Sequence, residues 1–417
     1  MSLLFSATGA MERTSLPYGS QLIVRRDANV ATVAVELWFR APSIGFADPT
    51  PGLSRYAATA VAASKVAGGQ SLSEAVKNVG GRLGISAYPD TVSVSASVPS
   101  GAESRIIKVM TSAYFTPALS AEGMRSALRD VVVAGTQKRF DVEETLRDGI
   151  FGIIFPTGAF HYSTVPPNAT ALGHVSPDAL RAFAARAFRS SNAVLAVAGN
   201  THADIPAAIS GGRTDGQAME APIDATPIAT PASSSAAFAE DAVGLGWVGA
   251  PIADAKAATA LDFIADYLFR PQSGAVSRPL DISSPETFLS GQFITLHNPG
   301  VLLVEIAGKS RDEVRSTVLA AVEKMRTPLG AAEFAAARSA FEYHVLADSQ
   351  TPLTQADNFG WYSVEGDGLY APSDESLRYV QTVQSLDPAF VAHVAQQYLG
   401  TPSVLELTGP AKSPVKT

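Results

Sequence analysis

Cysteine is absent from the 417 residues. The chain therefore forms no disulfide and offers no thiolate ligand, which excludes a disulfide scaffold, a Cys-ligated zinc site and an iron–sulfur cluster. Histidine is scarce as well, because only six are present and no two of them stand three or four residues apart. At that spacing one helix face can present two imidazoles to a metal ion, so no histidine pair of this kind is available.

Long apolar runs are also missing, and none approaches the roughly 18 residues that a membrane-spanning helix needs. Charged residues make up only 17%, and the net charge of −8 is spread along the chain without acidic or basic blocks. That distribution argues against a nucleic-acid surface. The N-terminus lacks the basic segment of a signal or transit peptide. These absences favour a soluble protein, cytoplasmic in a bacterium, with the mitochondrial matrix as the alternative.

What the sequence does contain is an internal repeat. Segments 175–200 and 386–410 each begin with a Pro at the start of a predicted helix, continue to an aromatic residue at its end, and close with an apolar strand. The strands at 31–43 and 237–251 correspond in the same way, because both run into Ala-Pro and precede an Ala-rich helix. We therefore predict two diverged copies of one domain.

The predicted domains span residues 15–209 and 236–412, joined by a linker at 210–235 that is rich in Gly, Pro, Ser and Thr. Strands and helices occur in runs rather than in strict alternation, which predicts the α+β class, with an antiparallel-rich sheet backed by helices in each domain. A hairpin is predicted at 82–98 and a single strand at 237–248.

One strand of the first copy shows a simple alternation. Apolar residues recur at every second position, which predicts a half-buried strand. Its buried face would be formed by Val33, Val35, Leu37 and Phe39.

The order of elements, the segments 51–61, 79–99 and 128–135, and the two closing segments of the repeat resemble the M16 metallopeptidases over nearly the whole chain. That family includes the mitochondrial processing peptidase subunits, the core subunits of the respiratory cytochrome bc1 complex and bacterial two-domain peptidases. The resemblance implies two homologous M16-type domains.

Active members of that family carry His-x-x-Glu-His on the first helix, where the two His bind zinc and the Glu acts as general base, and a further Glu ligand on another helix. Here the ligand positions are Arg55 and Thr59, the base position is Ala58, and the distal ligand falls at Gly135 or within one residue of it. Arginine cannot bind zinc, and its permanent charge opposes a cation. The resemblance thus implies no catalytic residue, no metal and no cofactor.

These features indicate a non-catalytic M16 subunit, a pseudoenzyme that pairs with a zinc-bearing M16 partner as a heterodimer around a peptide-processing chamber. Self-association and peptide binding are compatible with it, whereas a nucleic-acid partner is not expected. A structural core subunit of a bc1-type respiratory complex is the alternative interpretation. An active zinc metalloendopeptidase fits least.

Competing motifs have simpler interpretations. GLGWVG at 244–249 matches the dinucleotide fingerprint, but the repeat places its glycines inside a strand, where they cannot cradle a pyrophosphate. AGKS at 307–310 stands between a strand and a helix as a P-loop would, yet Leu303 occupies the position of the required first glycine. Glu143 and Glu144 are interpreted as a solvated helix face or a capping turn.

Overall fold

The computed structural model describes residues 11–410 except 47–48, 67–68, 167, 169, 215, 272, 283–286 and 367–377. In chain order the strands are β1 (Glu12–Ser15), β2 (Gln21–Arg26), β3 (Thr32–Arg40), β4 (Arg82–Ala87), β5 (Thr91–Pro99), β6 (Ala193–Gly199), β7 (Ser233–Ala237), β8 (Ala242–Val248), β9 (Phe288–Ile294), β10 (Val301–Ala307) and β11 (Ser403–Thr408). The α-helices are α1 (Leu53–Ala63), α2 (Leu72–Asn78), α3 (Glu103–Phe115), α4 (Ala121–Lys138), α5 (Val142–Ile154), α6 (Thr170–Gly173), α7 (Pro177–Ala187), α8 (Ile205–Ala208), α9 (Ala255–Phe269), α10 (Arg311–Met325), α11 (Ala331–Asp348), α12 (Pro352–Gly366), α13 (Arg378–Gln384) and α14 (Pro388–Tyr398).

Two mixed sheets of the same pattern form from the described strands. The first has the order β1-β2-β6-β3-β5-β4 and the second β7-β11-β8-β10-β9. In each sheet one pair is parallel, β2 with β6 and β7 with β11, and the pairs further along the order are antiparallel. Strand for strand the second sheet repeats the first, apart from β1. The α+β class with two homologous halves is therefore confirmed.

The closing segments of the repeat fold alike because their local signals are alike. Ser176 accepts a hydrogen bond from the N–H of Ala179 at the start of α7, and Asp387 accepts one from Phe390 at the start of α14. A proline follows each cap at the first helical position, where its missing N–H costs nothing and its fixed φ suits the helix. The strands β6 and β11 that follow occupy the same place in their sheets.

Contacts divide the chain into two compact units. Unit 1 comprises the described residues up to Thr136 with Tyr162–Pro222 and Leu346–Arg378. Unit 2 comprises Gln137–His161, Ile223–Val345 and the described residues from Tyr379 onward. Each unit thus holds one sheet and one helix from the other half of the sequence, α12 in unit 1 and α5 in unit 2. The continuous domains at 15–209 and 236–412, with their linker at 210–235, stay a proposal from the repeat.

The strand expected at 237–248 is two strands. Since β7 and β8 pair with opposite sides of β11, the chain must leave the sheet between them, and it does so at Phe238–Asp241. The hairpin expected at 82–98 is confirmed as β4 and β5.

The strand β3 is buried on both faces, so the expectation of a half-buried strand is wrong. Alternate residues from Val33 to Phe39 pack into the main core of unit 1 with α1, α3 and α7. The opposite face, with Ala34 and Trp38, packs against Ala356 and Phe359 of α12. A helix from a distant part of the chain therefore supplies the second cover, which alternation in one strand cannot reveal.

The contact between α12 and β3 is too close for a side chain at one helix position. A Cβ atom on Gly360 would overlap the indole ring of Trp38. That indole is fully buried, stacks on Tyr88 with ring centroids 5.5 Å apart, and meets the ring of Trp361 edge-on at 5.8 Å. The rings leave Trp38 little room to move, so glycine is required at position 360.

We expect Gly360→Ala to lower the free energy of unfolding by about 1 to 3 kcal/mol, because the added methyl overpacks a filled contact. Gly173→Ala in the same unit is the matched control, since its Cβ would meet no atom within 4 Å. Urea unfolding of the two variants measures the difference. Equal stability of the two variants would contradict the packing described for α12.

Candidate functional site

The candidate site lies on α1, whose position is fixed at its start and on its inner face. Gly52 adopts φ +80, a left-handed conformation that glycine accepts without strain, and a Cβ there would lie 2.6 Å from Cδ of Pro166. On the inner face, the hydroxyl of Tyr114 donates a hydrogen bond of 2.7 Å to the carbonyl oxygen of Ala58. Tyr114 is fully buried and its ring packs against Phe39 and Phe188, so α1 rests on an aromatic layer.

Arg55, Ala58 and Thr59 occupy adjoining positions on α1, as their spacing requires. The hydroxyl of Thr59 donates to the carbonyl oxygen of Arg55 at 2.8 Å, and both residues are half-buried. Ala58 is fully buried. None of the three side chains can bind zinc or accept a proton from bound water. Arg55 ends in a guanidinium, Ala58 in a methyl group and Thr59 in a hydroxyl.

The fourth residue, Gly135, lies on α4 in the same unit. This helix meets α1 near its own beginning, where a Cβ on Gly123 would lie 3.1 Å from the carbonyl oxygen of Ala60. Gly135 follows twelve residues later, on the order of 18 Å along the helix axis. The neighbouring turn exposes Val132 at 41% and Val133 at 55%, so it presents apolar side chains instead of a carboxylate.

The side chains at these positions do not fit a zinc ion. They provide no imidazole and no carboxylate, and Arg55 adds a fixed positive charge. Elsewhere in the part of the chain that the structure describes, no group of three or more His, Asp or Glu residues could hold a metal ion. That the four residues are the equivalents of the family's functional positions stays a proposal.

The competing motifs lie where the repeat predicted. Gly244 and Gly246 are inside β8, and a Cβ on Gly244 would lie 3.0 Å from the side chain of Ile150 on α5. These glycines thus make room for a helix and do not open a phosphate loop.

His161 lies in a short 3-10 helix after α5, with Nδ1 3.0 Å from the carbonyl oxygen of Phe155.

Glu143 and Glu144 lie on α5 with side chains 39% and 37% exposed, as expected for a solvated helix face, and Asp141 caps the helix by accepting a hydrogen bond from the N–H of Glu144. Lys138 is 5% exposed and lies 2.9 Å from a carboxylate oxygen of Glu144. Arg147 lies 2.8 Å from Glu143 and 3.8 Å from Glu305, a fully buried residue of β10. These partly exposed carboxylates also pair with two cations, one of which, Arg147, lies near the buried Glu305 of the second sheet.

Burial decides the charge state of Glu305. Neither carboxylate oxygen has a hydrogen-bond partner among the described residues. Burial raises the pKa of Glu305 to about 8, and Arg147 offsets this effect only in part. The signal for this residue was present in the sequence as the one charge inside the apolar strand VLLVEIA, but its partner on α5 lies about 160 positions away.

Among the described strands of unit 1, β4 forms one edge of the sheet. β4 is the last strand of the first sheet, and its only neighbour among the described strands is β5. Arg82 and Ser86 are exposed, and the residues between them are half-buried. The outer edge of β4 thus offers backbone N–H and C=O groups in the geometry that an added strand could use.

Solved structures with the same fold cover nearly all of the chain. A protease from Helicobacter pylori matches with a TM-score of 0.79 at 14% identity, over 96% of this chain and 100% of that chain. The M16 peptidase inactive domain from Pseudomonas fluorescens matches with a TM-score of 0.79 at 15% identity, over 97% and 100%. A chain of complex III2 from Candida albicans matches with a TM-score of 0.76 at 11% identity, over 95% of each.

No protein-family model and no curated protein matches this sequence. The structural likeness at these low identities shows the fold, and it confirms the M16-type fold that the sequence resemblance implied. No helix among the described residues is long and apolar enough to cross a membrane.

Restoring the missing ligands tests the assignment of the four positions. We expect the combined variant Arg55→His, Ala58→Glu, Thr59→His and Gly135→Glu to bind about one zinc ion per chain, because a His pair one turn apart and a carboxylate form a zinc site. The matched control carries Ala58→Glu alone and should bind none. Zinc is measured by elemental analysis after dialysis. A folded four-residue variant that binds no zinc would show that the positions are wrongly assigned.

Proposed function

We propose that this chain is a non-catalytic subunit of M16 type, which pairs with a second M16 chain that carries the zinc site. The observation that carries the proposal is the set of side chains Arg55, Ala58 and Thr59 on α1, which we take as the equivalents of the metal-binding and base positions and which cannot bind zinc or act as a base. The likeness to a structure described as an inactive M16 domain supports the same role, since that protein combines the fold with a lack of activity in its own description. In such a pair this chain would help to shape the peptide chamber, and the partner would supply the reaction.

The open edge of β4 is the proposed place for a peptide. An extended segment could pair with its backbone, so that main-chain hydrogen bonds supply the affinity and side-chain contacts supply the selectivity. The half-buried side chains along β4, Leu83 and Ile85 among them, would then set which side chains the peptide can place beside the sheet. Binding of this kind needs no metal, which fits a subunit that holds substrate without cleaving it.

A structural role is the second candidate. The likeness to a chain of complex III2 supports it, because that protein belongs to a large assembly. A core subunit of a bc1-type complex would use the same fold as a scaffold and would need no peptide at β4. Peptide binding by the purified chain therefore discriminates between the two proposals.

We expect the purified chain to hold no stoichiometric zinc and to show no chelator-sensitive hydrolysis of a fluorogenic peptide mixture. The physical reason is that α1 offers neither a ligand for zinc nor a base for its bound water. An active two-domain M16 peptidase, assayed in parallel, controls for the peptide mixture. One zinc ion per chain together with hydrolysis that stops on chelation would overturn the proposal.

A further inference from the structure

Glu36 is a carboxylate placed in an apolar contact. It lies on β3 between Ala34 and Trp38, on the face that α12 covers, and it is 1% exposed. Its oxygen Oε2 has no hydrogen-bond partner among the described residues. A charge in this position loses its hydration without gaining a full set of partners, so the charged form is strongly disfavoured.

The charged group on α12 that interacts with Glu36 is a second acid, Asp357. Burial raises the pKa of Glu36 well above its ordinary value, and the charge of Asp357 raises it further, whereas a hydrogen bond with Ser93 acts in the opposite direction. Burial likewise raises the pKa of Asp357, to about 6. Two interacting carboxylates, of which Glu36 is fully buried and Asp357 half-buried, cannot both be charged without a cost.

The remaining charged groups on this side of the first sheet do not neutralise Glu36 and Asp357. At the end of β3, the guanidinium of Arg40 donates to the carbonyl oxygens of Val364 at 2.7 Å and Glu220 at 2.9 Å. Arg25 is on β2, and β6 stands between that strand and β3. Glu365, near the end of α12, adds a third buried carboxylate and no positive charge. None of these groups is a cause of the shift at Glu36.

The second sheet places its own buried carboxylate at the matching pair of residues. In the first sheet Glu36 of β3 is opposite Ser95 of β5, and in the second sheet Gly244 of β8 is opposite Glu305 of β10. The buried acid is thus on β3 in the first sheet and on β10 in the second, but at the same cross-strand pair. In unit 2 a cation on α5, Arg147, lies 3.8 Å from it. Unit 1 presents Asp357 where unit 2 presents this cation, so a proton is what remains to neutralise the pair.

We propose that Glu36 and Asp357 bind a proton between them when α12 covers the first sheet, which makes this helix contact a pH-sensitive device within unit 1. An acid that holds its proton more tightly in the packed state stabilises that state at low pH. The stabilisation is complete below the ordinary Asp value of 3.8 and is lost as the pH rises through about 6, the pKa of Asp357 in the packed state. A rise in pH above about 6 should therefore weaken the packing of α12 against the first sheet.

Hydrogen exchange of the α12 amides measures this effect directly. After correction for intrinsic exchange rates, we expect protection of α12 to fall by on the order of tenfold or more between pH 5 and pH 8, as linkage to Asp357 alone requires. In the double variant Glu36→Gln and Asp357→Asn, which keeps the side-chain shapes, protection should be nearly independent of pH. The amides of α7, in the same unit, serve as an internal reference in both proteins.

Glu122→Gln is the matched control, because Glu122 is an exposed acid on α4 whose loss changes the net charge without touching α12. This variant should keep the wild-type pH dependence. The single variants Glu36→Gln and Asp357→Asn should each weaken it. Wild-type protection that does not change from pH 5 to pH 8 would overturn the proposal, as would an unchanged pH dependence in the double variant.

Discussion

Coverage of each sheet by a helix from the distant half of the sequence is the constraint on which the two units depend. The central strands β3, β6, β8 and β10 are buried on both faces, and a bare second face would leave side chains such as Trp38 in water. The close contacts are made possible by glycine, at Gly360 on α12 and at Gly244 under α5. Neither sheet is therefore complete within its own half of the chain, and the two halves must fold in the presence of each other.

Coverage of the sheets by these helices also raises the pKa of the carboxyl groups that it buries. Glu36 and Glu305 lie in the sealed contacts, where burial favours the neutral acid. The helix α1, which carries the candidate zinc position, is held by packing and not by buried charge. It rests on Tyr114 and its aromatic neighbours, so it needs no metal to stay in place. The fold therefore does not depend on a metal at this position, which is the physical basis for proposing a subunit that binds without catalysing.

Sequence predicted best what depends on neighbours in the chain. The caps and prolines of α7 and α14 act within one turn, so the repeat and its closing strands could be predicted. The two-sided burial of β3 could not, because its second cover comes from residues more than 300 positions later. The spacing within 55–59 predicts the degenerate motif on one helix face, but the contact between Arg147 and the buried Glu305 could not be predicted, because the two residues lie in distant parts of the chain.

The central claim is that this chain works beside a catalytic chain, and purification from the native source with identification of its partners tests it most directly. The account predicts a co-purifying M16-type chain that carries His-x-x-Glu-His, together with chelator-sensitive peptidase activity in the complex but not in this chain alone. Recovery with respiratory subunits, or as a self-assembly without any zinc-bearing chain, would contradict the account.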